Sequence, residues 1–155
     1  MRVCPSKTSA GIQPPTHHVL PNTMDWLDPL QVARLFVCLF FCVLFLQSGL
    51  DKVFDWNGNM AWLAPHFSQS PLKGIVPALL ALIMVLEVAA GAMSGVGLVA
   101  LFMGSTDWAV VGLSLSALNI CLLFAGQRIA KDYVGAAVLA AYFAVALIGL
   151  FLFSI

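Results

Sequence analysis

The stretch LFVCLFFCVLFL, from Leu35 to Leu46, is a run of twelve residues without a charged side chain. It lies within Leu30 to Leu50, 21 residues whose only charge is Arg34. A helix rises about 1.5 Å per residue and the hydrocarbon core of a bilayer is roughly 30 Å thick, so a helix of this length crosses it. The stretch therefore predicts a transmembrane helix.

Three further stretches have the same character. Residues 75–103 carry a single charge, Glu87, and residues 108–126 and 133–155 carry none. The first of these is longer than an upright crossing requires, so we expect that helix to tilt, to bend near its glycines or to project from the bilayer. The sequence predicts an all-α integral membrane protein: a four-transmembrane-helix bundle with spans of about 30–50, 75–103, 108–126 and 133–155.

Composition sets the class of protein and the number of domains. Hydrophobic residues make up 61% of the chain and charged residues 9%, against roughly a quarter charged in soluble domains. Residues 1–26 form a polar tail rich in Pro, Ser and His, with too little apolar surface to fold alone. Residues 27–155 form one membrane domain. The seven basic and seven acidic residues balance, so no basic field is available for nucleic acid.

The loop between the first and second spans has the character of a membrane interface. It begins with Asp51 and Lys52 and contains Trp56 and Trp62, whose rings favour the headgroup region. Basic residues in the two loops on this side slightly outnumber those on the other side. This balance favours cytoplasmic loops, with both termini on the opposite face. Four basic residues lie on the loop side and three on the other, namely Lys52, Lys73, Arg128 and Lys131 against Arg2, Lys7 and Arg34.

Glycines within the spans indicate helix packing. Gly49, Gly91 and Gly95 are expected to let neighbouring helix backbones approach closely, either within the bundle or at a contact with another membrane subunit or a second copy of the chain.

Two ionisable residues inside spans, Arg34 and Glu87, need a physical explanation, since each costs roughly 2.5 to 3.5 kcal/mol on insertion scales. The simplest resolution is that they pair across the antiparallel helices. Counting along the third and fourth spans brings Asn119 and Tyr142 to a similar depth, which predicts a polar layer in the core. The layer is either a site for a polar head group, such as a quinone carbonyl or a proton, or a set of interhelical hydrogen bonds that hold the helices together.

Motifs of self-contained enzymes are missing from the sequence. It contains no Walker loop, GxGxxG, HExxH or GxSxG motif and no histidine pair within the spans. No catalytic residue, metal site or cofactor motif is predicted, and we expect the cysteines to be structural: Cys4, Cys38, Cys42 and Cys121. The chain is expected to be an accessory subunit rather than an enzyme by itself.

Several short motifs resemble those of the DoxX family of small four-helix membrane proteins. They are Arg34 opening a span that ends in SGLDK (48–52), and VLEVAAG (85–91) in the second span. FDWNGNMAWL (54–63) and GQRIAKDY (126–133) are similar to the subgroup common in Bacteroidetes. The resemblance implies four spans, a place in the bacterial inner membrane and recurrent positions at Arg34, Gly49, Lys52, Glu87 and Gly91. The family takes its name from membrane subunits of a thiosulfate:quinone oxidoreductase.

Three functions remain open at this stage. The first is a redox-linked accessory subunit that interacts with quinone or with an oxidoreductase partner. The second is a structural or assembly subunit of a larger membrane complex, without catalysis. The third is a small-solute or proton transporter. In all three cases the chain is surrounded by membrane lipid.

Overall fold

The computed structural model describes residues 28–155, so the predicted polar tail lies outside the described residues. Residues 28–155 contain five helices and no strand. Four of the helices are long and apolar enough to cross a membrane, which confirms the predicted fold class and defines a multi-pass membrane protein. The helices are α1 (Pro29–Phe54), α2 (Trp56–His66), α3 (Val76–Phe102), α4 (Asp107–Ile129) and α5 (Tyr133–Leu152).

The interfacial loop contains a short helix that the sequence reasoning did not separate from it. α1 runs one turn beyond Leu50, and Asp55 then leaves the helical conformation. The carboxylate of Asp55 accepts a hydrogen bond of 2.9 Å from the backbone N–H of Gly58, which caps the start of α2. A single aspartate thus ends the first span and begins the next helix.

Glycines mark the closest approach of α1 and α3. A Cβ atom on Gly91 would lie 2.6 Å from the backbone nitrogen of Leu46, and one on Gly49 would lie 3.0 Å from the backbone nitrogen of Val88. A Cβ atom on Gly95 would meet Cys42 Sγ at 3.1 Å. The Gly91 contact fixes how the two antiparallel helices align, because a side chain there would collide with the backbone of Leu46, and the contacts of Gly49 and Gly95 are tight as well.

Glycines at close backbone contacts also align α3 with α4. A Cβ atom on Gly97 would lie 2.5 Å from Ala109 Cα, and one on Gly112 would lie 2.6 Å from the backbone nitrogen of Ser94. α5 packs on α4 and closes the bundle against α1, where Gly149 lies beside Val37. α3 therefore has backbone contacts with helices on both sides.

The centre of the bundle is filled by Phe41 and Phe45 of α1 and by Leu113 and Ile120 of α4, all buried. Large apolar side chains also cover the outside of the spans, as with Val99 of α3, which is 61% exposed. An exposed apolar surface of this kind suits hydrocarbon rather than water.

The glycine contacts yield a stability prediction. Gly91→Ala should destabilise the protein by about 1 to 3 kcal/mol through overpacking, although alanine is the better helix former. Gly74→Ala is the control, since a Cβ atom there meets nothing within 4 Å. Unfolding of both variants in detergent micelles measures the effect, and equal stability of the two would contradict the packing role of Gly91.

Candidate functional site

A buried ion pair joins α1 and α3 near the loop end of the bundle. Lys52 Nζ lies 2.8 Å from Glu87 Oε2, and the side chain of Glu87 is 2% exposed. Ser48 bridges the two charges: its hydroxyl donates to Glu87 Oε1 at 3.0 Å and accepts from Lys52 Nζ at 2.9 Å. Lys52 Nζ also donates to the Ser48 backbone carbonyl at 3.1 Å. The ammonium group thus makes two hydrogen bonds to Ser48 and an ion pair with Glu87.

Helix geometry brings these three residues together. Ser48 and Lys52 are four positions apart, so they lie on one face of α1. Gly49 lies beside them and lets the backbone of α3 approach, with Glu87 Cβ at 3.3 Å from where a Cβ of Gly49 would be. The long alkyl stem of Lys52 allows its ammonium group to reach inward from the end of the helix.

The expected pairing of Arg34 with Glu87 is wrong. Arg34 Nε donates to the backbone carbonyl of Leu152 at 2.9 Å, and its guanidinium lies over the ring of Phe153. The physical reason is the alignment of α1 with α3. Gly49 lies opposite Glu87 and Val88, which puts Arg34 fifteen residues, or about 22 Å, from that level. Arg34 instead satisfies a carbonyl that the end of α5 leaves free.

Asn119 shares the depth of Glu87. Where α3 meets α4, Gly97 lies opposite Ala109 and Ser94 lies opposite Gly112. The two helices are antiparallel, so a residue before Gly97 lies at the level of the residue equally far after Ala109. This places Glu87 opposite Asn119. Asn119 is fully buried, and neither its Nδ2 nor its Oδ1 has a hydrogen-bond partner among residues 28–155. An unmade hydrogen bond of this kind costs roughly 1 to 3 kcal/mol.

Ser94 is a second buried polar residue, and its missing hydrogen bond is easier to explain. Its hydroxyl is also buried without a partner in the described part of the chain. A serine hydroxyl in a helix rotates to reach the carbonyl four residues earlier, as Ser116 does with Gly112 at 2.8 Å. Asn119 has an acceptor and two donors to satisfy, so the same rotation does not resolve it.

Tyr142 is not part of the layer. The contacts of Gly149 with Val37 and of Leu152 with Arg34 align α5 with α1, and they set Tyr142 opposite Leu44, about 9 Å along the axis from the level of Glu87. Its ring packs half-buried in the core, 6.2 Å from the ring of Phe40. The predicted four-residue layer therefore reduces to Glu87 and Asn119.

The residues expected at the interface lie at the loop end of the bundle. Asp51 is exposed at the end of α1, Trp56 is half-buried at the start of α2 and Trp62 is 59% exposed. The ring of Trp62 stacks on His66 at 4.7 Å between centroids. His66 Nε2 lies 2.9 Å from Gln127 Oε1, so the first loop is attached to the end of α4.

A pocket of about 280 Å³ opens beside Lys52, between the loop-side halves of α3 and α4. Buried Val76 and Leu80 form its inner wall, and Leu63 and Phe67 of the first loop cover it. Lys52 and Gln127 are the only lining residues with polar side chains in the part of the chain that the structure describes. The lining residues are Lys52, Leu63, Phe67, Leu72, Val76, Leu79, Leu80, Leu82, Ile83, Leu122, Leu123, Ala125, Gly126, Gln127 and Ile129.

The pocket opens toward the lipid-facing surface. Leu82 on α3 is 51% exposed, and Leu122 and Ile129 on α4 are also exposed, although all three line the pocket. A membrane-dissolved molecule thus has a lateral route to Lys52. The pocket is slightly smaller than the usual ligand site of about 300 to 1,000 Å³, so it has room for a ring or for part of a chain.

Sequence reasoning missed Ser48 and the roles of His66 and Gln127. Ser48 had a usable signal, because a serine four residues before a lysine at a helix end shares its face. His66 and Gln127 are 61 residues apart and gave no such signal.

The fold and this site define the class as a helical multi-pass membrane protein with a buried ion pair beside a lipid-facing pocket. No family model, curated protein or solved structure matches the chain. The resemblance to the DoxX family therefore stays a prediction.

The ion pair can be tested by a double-mutant cycle. Lys52→Met should cost about 3 kcal/mol of stability, because it leaves the Glu87 carboxylate buried without its counter-charge. Adding Glu87→Gln should recover part of this loss, so that the two effects fall short of additivity by about 1 kcal/mol or more. Unfolding in detergent micelles measures both.

The matched control is the cycle of Arg34→Met with Glu87→Gln. Those two effects should add within about 0.5 kcal/mol, because the residues do not touch. Coupling in this second cycle and additivity in the first would restore the pairing expected from the sequence.

Proposed function

We propose that the chain is an accessory membrane subunit that binds a quinone and presents it to a partner oxidoreductase. The observation that carries the proposal is the pocket beside Lys52, which combines apolar walls and a lateral opening with the cation of the ion pair in its lining. A quinone has the matching shape, since an oxygen-bearing ring is joined to an apolar tail. When bound, it supplies two-electron, two-proton redox chemistry.

The residues fit such a molecule in a simple way. The tail lies against the leucines of α3 and α4 and leaves through the gap marked by Leu82 and Leu122. The ring takes the inner part of the pocket, close to the Lys52 and Glu87 pair. The electron donor belongs to a separate protein, because the sequence has no motif for a redox centre. A bacterial inner membrane with cytoplasmic loops belongs to the same proposal.

One observation favours the alternative of a structural subunit. The Lys52 ammonium already has three oxygen partners in Ser48 and Glu87, so it needs no ligand to be satisfied. In that case the Lys52–Glu87 ion pair only holds α1 and α3 together. Mild-detergent purification with mass spectrometry of the companions separates the two functions. Oxidoreductase subunits or quinone in stoichiometric amount support the proposal, and a complex without either supports the structural subunit.

Filling the pocket should abolish quinone binding. Leu123→Trp puts a larger side chain into the pocket from α4, and we expect binding of decyl-ubiquinone to the purified protein to fall below detection. The matched control is Leu118→Trp, which makes the same change on a half-exposed position of α4 outside the pocket lining.

Titration calorimetry in micelles measures both variants, and unfolding curves establish that both are folded. Wild-type protein that does not bind the quinone, or equal binding by both variants, would refute the proposed function.

A further inference from the structure

The loop-side part of the pocket lies beyond the end of α1. Gly49 lies opposite Val88, so the end of α1 at Phe54 is level with Ile83 on the antiparallel α3. α3 continues for about 10 Å past this level to its start at Val76. In this region α1 no longer packs on α3, and a different segment of the chain has to cover the pocket.

The covering segment is the short helix α2. Leu63 of α2 and Phe67, directly after its end, both line the pocket. A Cβ atom on Gly126 of α4 would lie 3.7 Å from the tip of the Phe67 ring. The half-buried residues of α2 follow one another at intervals of three or four or are neighbours, so they form one inward face: Trp56, Asn59, Met60, Leu63 and His66.

α2 is attached to the bundle more weakly than the spans are. Among the five described helices it alone contains no buried residue. The backbone leaves the helical conformation at Asp55, which separates α2 from α1. Segments with few buried apolar contacts open locally at a low free energy. α2 is therefore the helix whose movement disturbs the four spans least.

A contact between His66 and Gln127 ties α2 to α4. His66 Nε2 lies 2.9 Å from Gln127 Oε1, and Asp132 Oδ2 is 4.0 Å from the same ring nitrogen. The His66 ring is itself held by its own segment, stacked on Trp62 and edge-on to Phe67. Within residues 28–155 this is the one hydrogen bond that joins α2 to α3, α4 or α5.

We propose that α2 is a lid over the loop-side mouth of the pocket, and that the contact of His66 with Gln127 is the latch that keeps the lid closed. When the latch breaks, Leu63 and Phe67 move off the pocket, and its wall at Val76 meets water. The pocket then has a water-side mouth in addition to its lateral opening toward lipid. This inference does not depend on which molecule the pocket holds.

Labelling of a cysteine introduced by Val76→Cys tests the lid. Val76 lines the pocket and is 3% exposed, so a reagent in water reaches this position only when α2 has moved. The probe is a sulfonated methanethiosulfonate, whose charge keeps it out of lipid, and the full chain is held in lipid nanodiscs. Mass spectrometry separates the label at position 76 from labels on the native cysteines. Gln69→Cys, at an exposed position after the lid, gives the rate without protection.

Breaking the latch should raise the labelling rate at position 76 about threefold to tenfold, the change expected for one hydrogen bond. The rate follows the fraction of molecules with an open lid, provided that closing is fast relative to labelling. His66→Phe keeps an aromatic ring against Trp62 and removes the hydrogen bond. Gln127→Met removes the other partner, and the double variant should label no faster than either single variant.

Ser68→Ala is the matched control. The Ser68 hydroxyl donates to the backbone carbonyl of Pro65 at 2.7 Å, so this variant loses a hydrogen bond within the covering segment and none to α4. Labelling at position 76 should remain at the wild-type rate, and labelling at position 69 should be the same in every variant.

Three results would overturn the inference. If the wild type labels at position 76 as fast as at position 69, α2 does not close the pocket. If neither latch variant labels faster than the wild type, the contact is not a latch. If Ser68→Ala labels as fast as the latch variants, the whole loop has loosened. Gln127→Met gives the same readings if His66→Phe does not fold. Quinone binding is not a readout, so this test and that of the proposed function fail separately.

Discussion

Close backbone contact between α3 and its two neighbours is the constraint on which the rest of this structure depends. Gly91 brings the backbone of α1 against α3, and Gly97 and Gly112 bring α4 against it from another side. In a membrane the hydrophobic effect does not drive helices together, so such contacts and interhelical hydrogen bonds must hold the bundle. A contact that tolerates no Cβ atom also permits only one alignment. The depth of every polar side chain follows from it.

The alignment gives the two ends of the bundle different chemistry. At one end Arg34 Nε donates to the backbone carbonyl of Leu152 at the end of α5, and its guanidinium lies over the ring of Phe153. At the other end Lys52 reaches inward to Glu87, with Ser48 between them. Glu87 therefore pairs with Lys52 at the loop-side end of α1. Arg34, which lies within α1, makes a structural contact with the end of α5 instead.

The pocket follows from the distribution of residue size along α3 and α4. Small residues meet in one half of this helix pair, where Gly97 contacts Ala109 and Gly112 contacts Ser94. In the loop-side half the facing residues are large and branched, such as Leu80, Ile83 and Leu123, and the loop covers the gap between them with Phe67. Tight packing at one end and bulky side chains at the other leave an apolar space next to the buried ion pair.

The sequence by itself determined the membrane class, the four spans and the presence of charged residues that a bilayer would exclude, because hydrocarbon thickness and charge desolvation act on the local sequence alone. It did not determine which residues pair. The sequence suggested Arg34 as the partner of Glu87, whereas the helix alignment set by the glycine contacts brings Lys52 to it, because a shift of one helix along another moves every partner. Tyr142 was misplaced for the same reason. The pocket and the His66 contact with Gln127 depend on residues far apart in the chain, so tertiary structure alone decided them.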